Sequence, residues 1–100
     1  MPNSLIRRLV LDVLKPYDPE INLVAKMLLD KSEESEIDGC NITVYEMDRL
    51  TQKVKVIIQG NSLNYEEIND ILISMNCIVH SVDQVVAGEQ IVEDIDTPQD

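Results

Sequence analysis

The segment Ser4–Leu14, SLIRRLVLDVL, sets Leu9, Leu11 and Val13 on alternate positions, with Arg8, Val10 and Asp12 between them. A period of two is the signature of a β-strand. One face of this strand is wholly apolar and the other is mixed, so the strand belongs in a sheet that is covered on one side only. Every later element has to build a cover for that apolar face and leave the opposite face accessible.

The rest of the chain supplies the cover. Pro16 and Pro19 punctuate the exit from the strand, and Asp18 is placed to cap a helix with Pro19 at its first position. From Pro19 to about Lys31, the residues Ile21, Val24, Ala25 and Leu28 follow the stripe of a core-facing helix. Leu23, Met27 and Leu29 widen that stripe toward a second surface. The acidic run Ser32–Asp38 and Gly39 read as a loop. Asn41–Asp48 and Lys53–Gln59 alternate again, around a turn near Thr51-Gln52, and predict an antiparallel hairpin. Gly60 and Asn61 end it. Asn64 is placed to cap a second helix, with Glu66 and Glu67 in its first turn and Ile68, Ile71, Leu72 and Met75 on its inner stripe. Cys77–Ala87 is the last strand, with a bulge expected where Val85-Val86 interrupts the alternation.

The order strand, helix, strand, strand, helix, strand predicts an α+β, ferredoxin-like βαββαβ sandwich: a four-stranded antiparallel sheet with two helices on one face. The spatial order expected is 4-1-3-2. The domain spans residues 1–88, and residues 89–100 form an acidic C-terminal tail. Ile, Val and Leu number 33 of 100 residues and there is no Phe or Trp, so the core is aliphatic. Its members are Leu9, Leu11, Val13, Val24, Leu28, Val54, Val56, Ile58, Ile68, Ile71 and Leu72.

Charge narrows the function classes. The net charge is -11, and residues 56–100 hold nine acids with no Lys or Arg, while all eight bases lie in residues 1–55. Nucleic-acid and anionic-membrane partners both demand basic surface, so neither is expected. No apolar run approaches the roughly 20 residues that span a bilayer, and Met1–Lys15 does not read as a signal peptide. Cys40 and Cys77 form no C-x-x-C pair and suit a reduced cytoplasm as small hydrophobes. His80 has no second His and no carboxylate at close spacing on its own face, and reads as structural. No catalytic residues emerge, and a hydrolase is a third reading for which no convergent acid, base or nucleophile set appears. Among the acidic groups, Glu93, Asp94 and Asp96 are candidates for a weak Ca2+ or Mg2+ site, without the EF-hand spacing; no other cofactor is implied.

Four segments carry a resemblance: RRLVLDVLKP at Arg7–Pro16, NITVYEMD at Asn41–Asp48, HSVDQVVAG at His80–Gly88, and the ending DTPQD at Asp96–Asp100. In this order and spacing they resemble an archaeal family of small proteins, domain-of-unknown-function family 211. The resemblance implies a ferredoxin-like fold, an archaeal cytoplasmic origin and a ring-shaped homo-oligomer. It implies no activity.

The expectation is therefore a non-enzymatic, self-assembling protein or binding module whose main partner is itself. The contact should run head to tail; the alternative is a tail that folds back over its own sheet or stays disordered with its charges in water. The open sheet face offers Arg8, Val10, Asp12, Lys55 and Ile57, and the tail offers Ile91, Val92 and Ile95. The alternative is a small-molecule sensor of the ACT type, with its ligand at a subunit interface near Lys15–Pro19. A loop Gly, frequent in such modules, is absent there.

Overall fold

The computed structural model describes residues 4–95. The elements are β1 (Ile6–Pro16), α1 (Ile21–Lys31), β2 (Glu36–Met47), β3 (Thr51–Ser62), α2 (Tyr65–Ser74) and β4 (Ile78–Ala87). They form one antiparallel sheet in the order β2-β3-β1-β4, the 4-1-3-2 arrangement of a ferredoxin-like α+β fold. The molecule is thin, 44 × 40 × 17 Å, because helices cover only one face of the sheet.

The alternation in β1 sets which face is covered. Leu9, Leu11 and Val13 are buried, and their partners in β3 are Ile58, Val56 and Val54, also buried. Residues paired across an antiparallel ladder share a face, so these six form the floor of the core. Val24 and Leu28 from α1, and Ile68, Ile71 and Leu72 from α2, close it from above. Leu63, Met75 and Cys77 complete the cluster at its rim. Leu23 and Leu29, the wider part of the α1 stripe, remain exposed, and Met27 is half-buried.

Lys15 continues the buried side of β1 and is wholly inaccessible. Its ammonium donates to the carbonyls of Pro16 (2.6 Å), Tyr17 (3.2 Å) and Pro19. An ammonium out of water is tolerated only when its donors are satisfied, and here the next four residues wrap around it. That wrapping corrects the expected start of α1. The segment with Asp18 and Pro19 turns around Lys15 rather than opening the helix. The Asp18-Pro19 peptide is cis, and Glu20 takes the N-cap position without a side-chain cap.

Other boundaries also move. β2 begins at Glu36, so part of the acidic run is strand, and β3 runs through Gly60 to Ser62. Gly60 makes this possible. A Cβ there would overlap the Glu36 carbonyl of the neighbouring strand. The hairpin turn lies at residues 48–50, where the Asp48 carboxylate accepts from the amides of Leu50 (2.9 Å) and Thr51 (2.8 Å). The bulges in β4 do not fall at Val85-Val86. Register shifts against β1 leave His80 and Asp83 as the extra residues. At the start of α2, the Asn64 side chain accepts from the Glu67 amide at 3.0 Å. The Glu67 carboxylate in turn receives the amides of Glu33, Glu34 and Ser35 and ties the α1–β2 connection to α2.

Leu11 is fully buried in mid-strand, so Leu11→Ala should cost about 2–5 kcal/mol and lower the urea midpoint sharply. Gly60→Ala should also destabilise, and hydrogen exchange should show faster loss of protection in β2 than in β1. A Gly60→Ala protein as stable as the parent would mean the β2–β3 approach is looser than described.

Candidate functional site

The sheet face away from the helices is the largest uncovered surface that the topology creates. β1 contributes Arg8, Val10, Asp12 and Leu14 to it, and β3 contributes Lys53, Lys55, Ile57 and Gln59 as their neighbours. Asp12 pairs with Lys55, and Val10 with Ile57. Arg8, Val10, Asp12 and Ile57 are half-buried, while Lys55 is exposed.

One end of this face is occupied by the chain's own tail. The Arg7 guanidinium donates to the carbonyls of Gly60 (3.0 Å), Gly88 (3.2 Å) and Glu89 (2.9 Å), fixing the exit from β4. The chain then turns at Gly88, whose φ of 108° favours glycine, and crosses the sheet. Arg8 donates to both oxygens of Glu93, at 2.8 and 2.9 Å, and to Gln59 at 2.9 Å. Gln84 donates to Asp94 at 3.3 Å. Val86, the cross-strand partner of Arg8, is buried although it lies on the helix-free side. The hydrogen bonds from Arg8 hold the Glu93 carboxyl below its usual range, and the same contact raises the guanidinium pKa.

Within the tail, Ile91 is half-buried, but Val92 and Ile95 are 73% and 83% exposed. Among the suggested cation ligands, Glu93 commits both oxygens to Arg8, Asp94 lies by Gln84, and Asp96 is outside the described residues. The residues after Ile95, including the DTPQD ending, are likewise outside them. Among the described residues no group of three or more His, Cys, Asp or Glu side chains is placed to hold a metal ion.

At the middle of the face is a depression of about 330 Å³ lined by Asp12, Thr43, Tyr45, Lys55 and Asp83. Tyr45 reaches from the edge strand β2 past β3 and donates its hydroxyl to Asp12. That bond and the neighbouring carboxylates push the phenol up to about 12. Asp83 accepts from Ser81 at 2.7 Å. Lys53 pairs with Glu46 at 3.4 Å, whereas Lys55 makes no ion pair among the described residues. Sequence reasoning put Asp12 and Lys55 on this face but missed Tyr45 and Asp83. The alternation of Thr43 and Tyr45 opposite Ile42 and Val44 gave their side of β2, not the reach across two strands. The position of Asp83 depends on the two bulges in β4.

The other chemistry-bearing groups stand apart. Cys77, just before β4, is buried and Cys40, on β2, is half-buried; both are free, they lie by opposite edge strands, and burial pushes both thiols up. His80 is exposed at its bulge.

A split βαβ domain with one bare sheet face and a tail folded onto it defines the class of protein. The chain matches domain-of-unknown-function family 211, described as an uncharacterized ArCR, over residues 7–100, and it belongs to that family. An uncharacterized protein of the archaeon Methanocaldococcus jannaschii is 52% identical over 95 residues, which is 95% of each chain. Among the described residues no helix is long and apolar enough to cross a membrane.

The raised phenol is directly measurable. In a titration followed by tyrosinate absorbance, one of the three tyrosines should ionise near 12, and Tyr45→Phe should remove that step. An unfolded phenol ionises near 10. The stability that this hydrogen bond contributes is therefore present below about 10 and lost as pH rises toward about 12.

Proposed function

We propose that this protein is a non-enzymatic, self-assembling module of the archaeal cytoplasm, and that its open sheet face and tail form a head-to-tail contact between copies, closing into a ring. The observation that carries this reading is a sheet face left uncovered except at one end, where the tail bonds to Arg8 and Gln84 yet presents Val92 and Ile95 to solvent. A tail with no partner gains nothing from exposing two large aliphatic side chains beside a face that already carries Val10, Leu14 and Ile57. The occupant is a second copy. A face on one side and a tail on another make a heterologous contact, which closes into a ring when the rotation permits.

The role of charge in this reading is narrower than the sequence implied. Arg8 already has Glu93 of its own chain, so affinity between copies rests on the aliphatic residues. Charge sets orientation and association rate. The sites of Cys77, Cys40 and His80 support the non-enzymatic side of the proposal. A nucleophile needs a base within hydrogen-bond reach, and burial disfavours both thiolates. The alternative ligand site near Lys15–Pro19 has less support, because the Lys15 ammonium is taken up by the carbonyls of its own loop.

Light scattering on a sizing column tests the proposal. The full chain should elute at a fixed multiple of the chain mass, and removal of residues 89–100 should reduce that multiple. Deletion also removes the Glu89 and Glu93 acceptors of Arg7 and Arg8, so the double variant Val92→Ser, Ile95→Ser is the cleaner test, since both side chains are exposed. Assembly unchanged in the double variant, or a full chain that runs as a monomer, overturns the reading.

A further inference from the structure

The depression at the middle of the open face contains three polar groups with unused capacity. Tyr45 occupies one oxygen of Asp12 and Ser81 occupies one oxygen of Asp83, so each carboxylate keeps its second oxygen free of partners among the described residues. The Lys55 ammonium has no acceptor among the described residues. All three line the same cavity. They sit on separate strands of one hydrogen-bonded sheet, so their spacing is fixed by the backbone rather than by a loop.

The signs of these charges select the ligand. A divalent cation would find two carboxylates but also an ammonium, and a hard cation wants six or more oxygens. A phosphate or simple carboxylic acid would meet Lys55 but face Asp12 and Asp83. A simple amine would satisfy the carboxylates and leave Lys55 unanswered. A molecule carrying an ammonium and a carboxylate on adjacent atoms matches both signs at once.

The surroundings extend that match. A second depression of about 520 Å³ shares Lys55 and Asp83 with the first and has Val10 and Ile57 in its wall. The Val10–Ile57 pair lies two residues along from the Asp12–Lys55 pair, which is about 7 Å of strand. That distance suits the span from the charged head of a leucine or methionine to the end of its side chain.

We propose that this face binds an α-amino acid with an aliphatic side chain. The ammonium lies between the free oxygens of Asp12 and Asp83, the carboxylate lies on Lys55, and the side chain lies over Val10 and Ile57. Tyr45 is a positioning residue that fixes the Asp12 carboxylate. Every group comes from one chain, so the site is complete without assembly; in a ring the neighbouring copy would share the Val10–Ile57 patch with the ligand.

Titration calorimetry on the full chain tests this with three probes: L-leucine, its decarboxylated analogue 3-methylbutylamine, and its deaminated analogue 4-methylpentanoate. L-Leucine should bind saturably at one site per chain, and each analogue at least about tenfold more weakly. Lys55→Met and Asp83→Asn should each weaken leucine by at least about tenfold while circular dichroism stays unchanged. Lys53→Gln, on the same face but engaged with Glu46, should bind as the parent does. No saturable leucine heat, an analogue that binds as tightly as leucine, or undiminished binding by Lys55→Met overturns the proposal. Light scattering on the same samples keeps the two readings separate, because a monomer that binds leucine refutes assembly and leaves this site intact.

Discussion

The structure depends on one constraint: β1 is hydrogen-bonded to a neighbour on both edges but covered on only one face. A central strand of this kind fixes the role of every residue by parity. Odd positions from Leu9 to Lys15 enter the helix-side core, and even positions from Arg8 to Leu14 look out from the bare face. A slip of one residue would drive Arg8 and Asp12 into hydrocarbon and expose three aliphatic side chains, so register is strongly specified. Both helices, the outer strands and the tail are arranged around that decision.

The fold was legible because it rests on periodicity. The eleven core residues expected from alternation and helical spacing are all buried, and the strand order followed from the order of elements. Where the reading failed, a single residue had overridden a local propensity. Lys15 keeps the parity of its strand although it is charged, and its carbonyl cage replaces the cap that Asp18 and Pro19 suggested. Gly60 reads as a strand break, yet it serves as the gap through which the Glu36 carbonyl passes, which lengthens the hairpin.

The candidate site was only half legible, for a different reason. Arg8, Val10, Asp12, Lys55 and Ile57 lie on strands with unbroken alternation, so their face was computable from the sequence. Asp83 is itself an extra residue at a register shift of β4, where parity is lost, and Tyr45 acts through length and reach rather than position. Bulges re-aim side chains locally without leaving a periodic trace. The tail contact was hidden in the same way: charge asymmetry announced that acids would seek Arg8 but did not say whose acids.

The Arg8–Glu93 bond has a consequence for exchange between molecules. Glu93 is tethered five residues beyond Gly88, so it competes for its own Arg8 at an effective concentration that is on the order of millimolar for a short linker. A neighbouring tail can replace it only by breaking one such bond and making an identical one, so the bond energies cancel. In the proposed assembly, the balance between a closed chain and an exchanged one would then be set by tether entropy and by how crowded the chains are. An assembly of the proposed kind would therefore depend on the concentration of the chain itself.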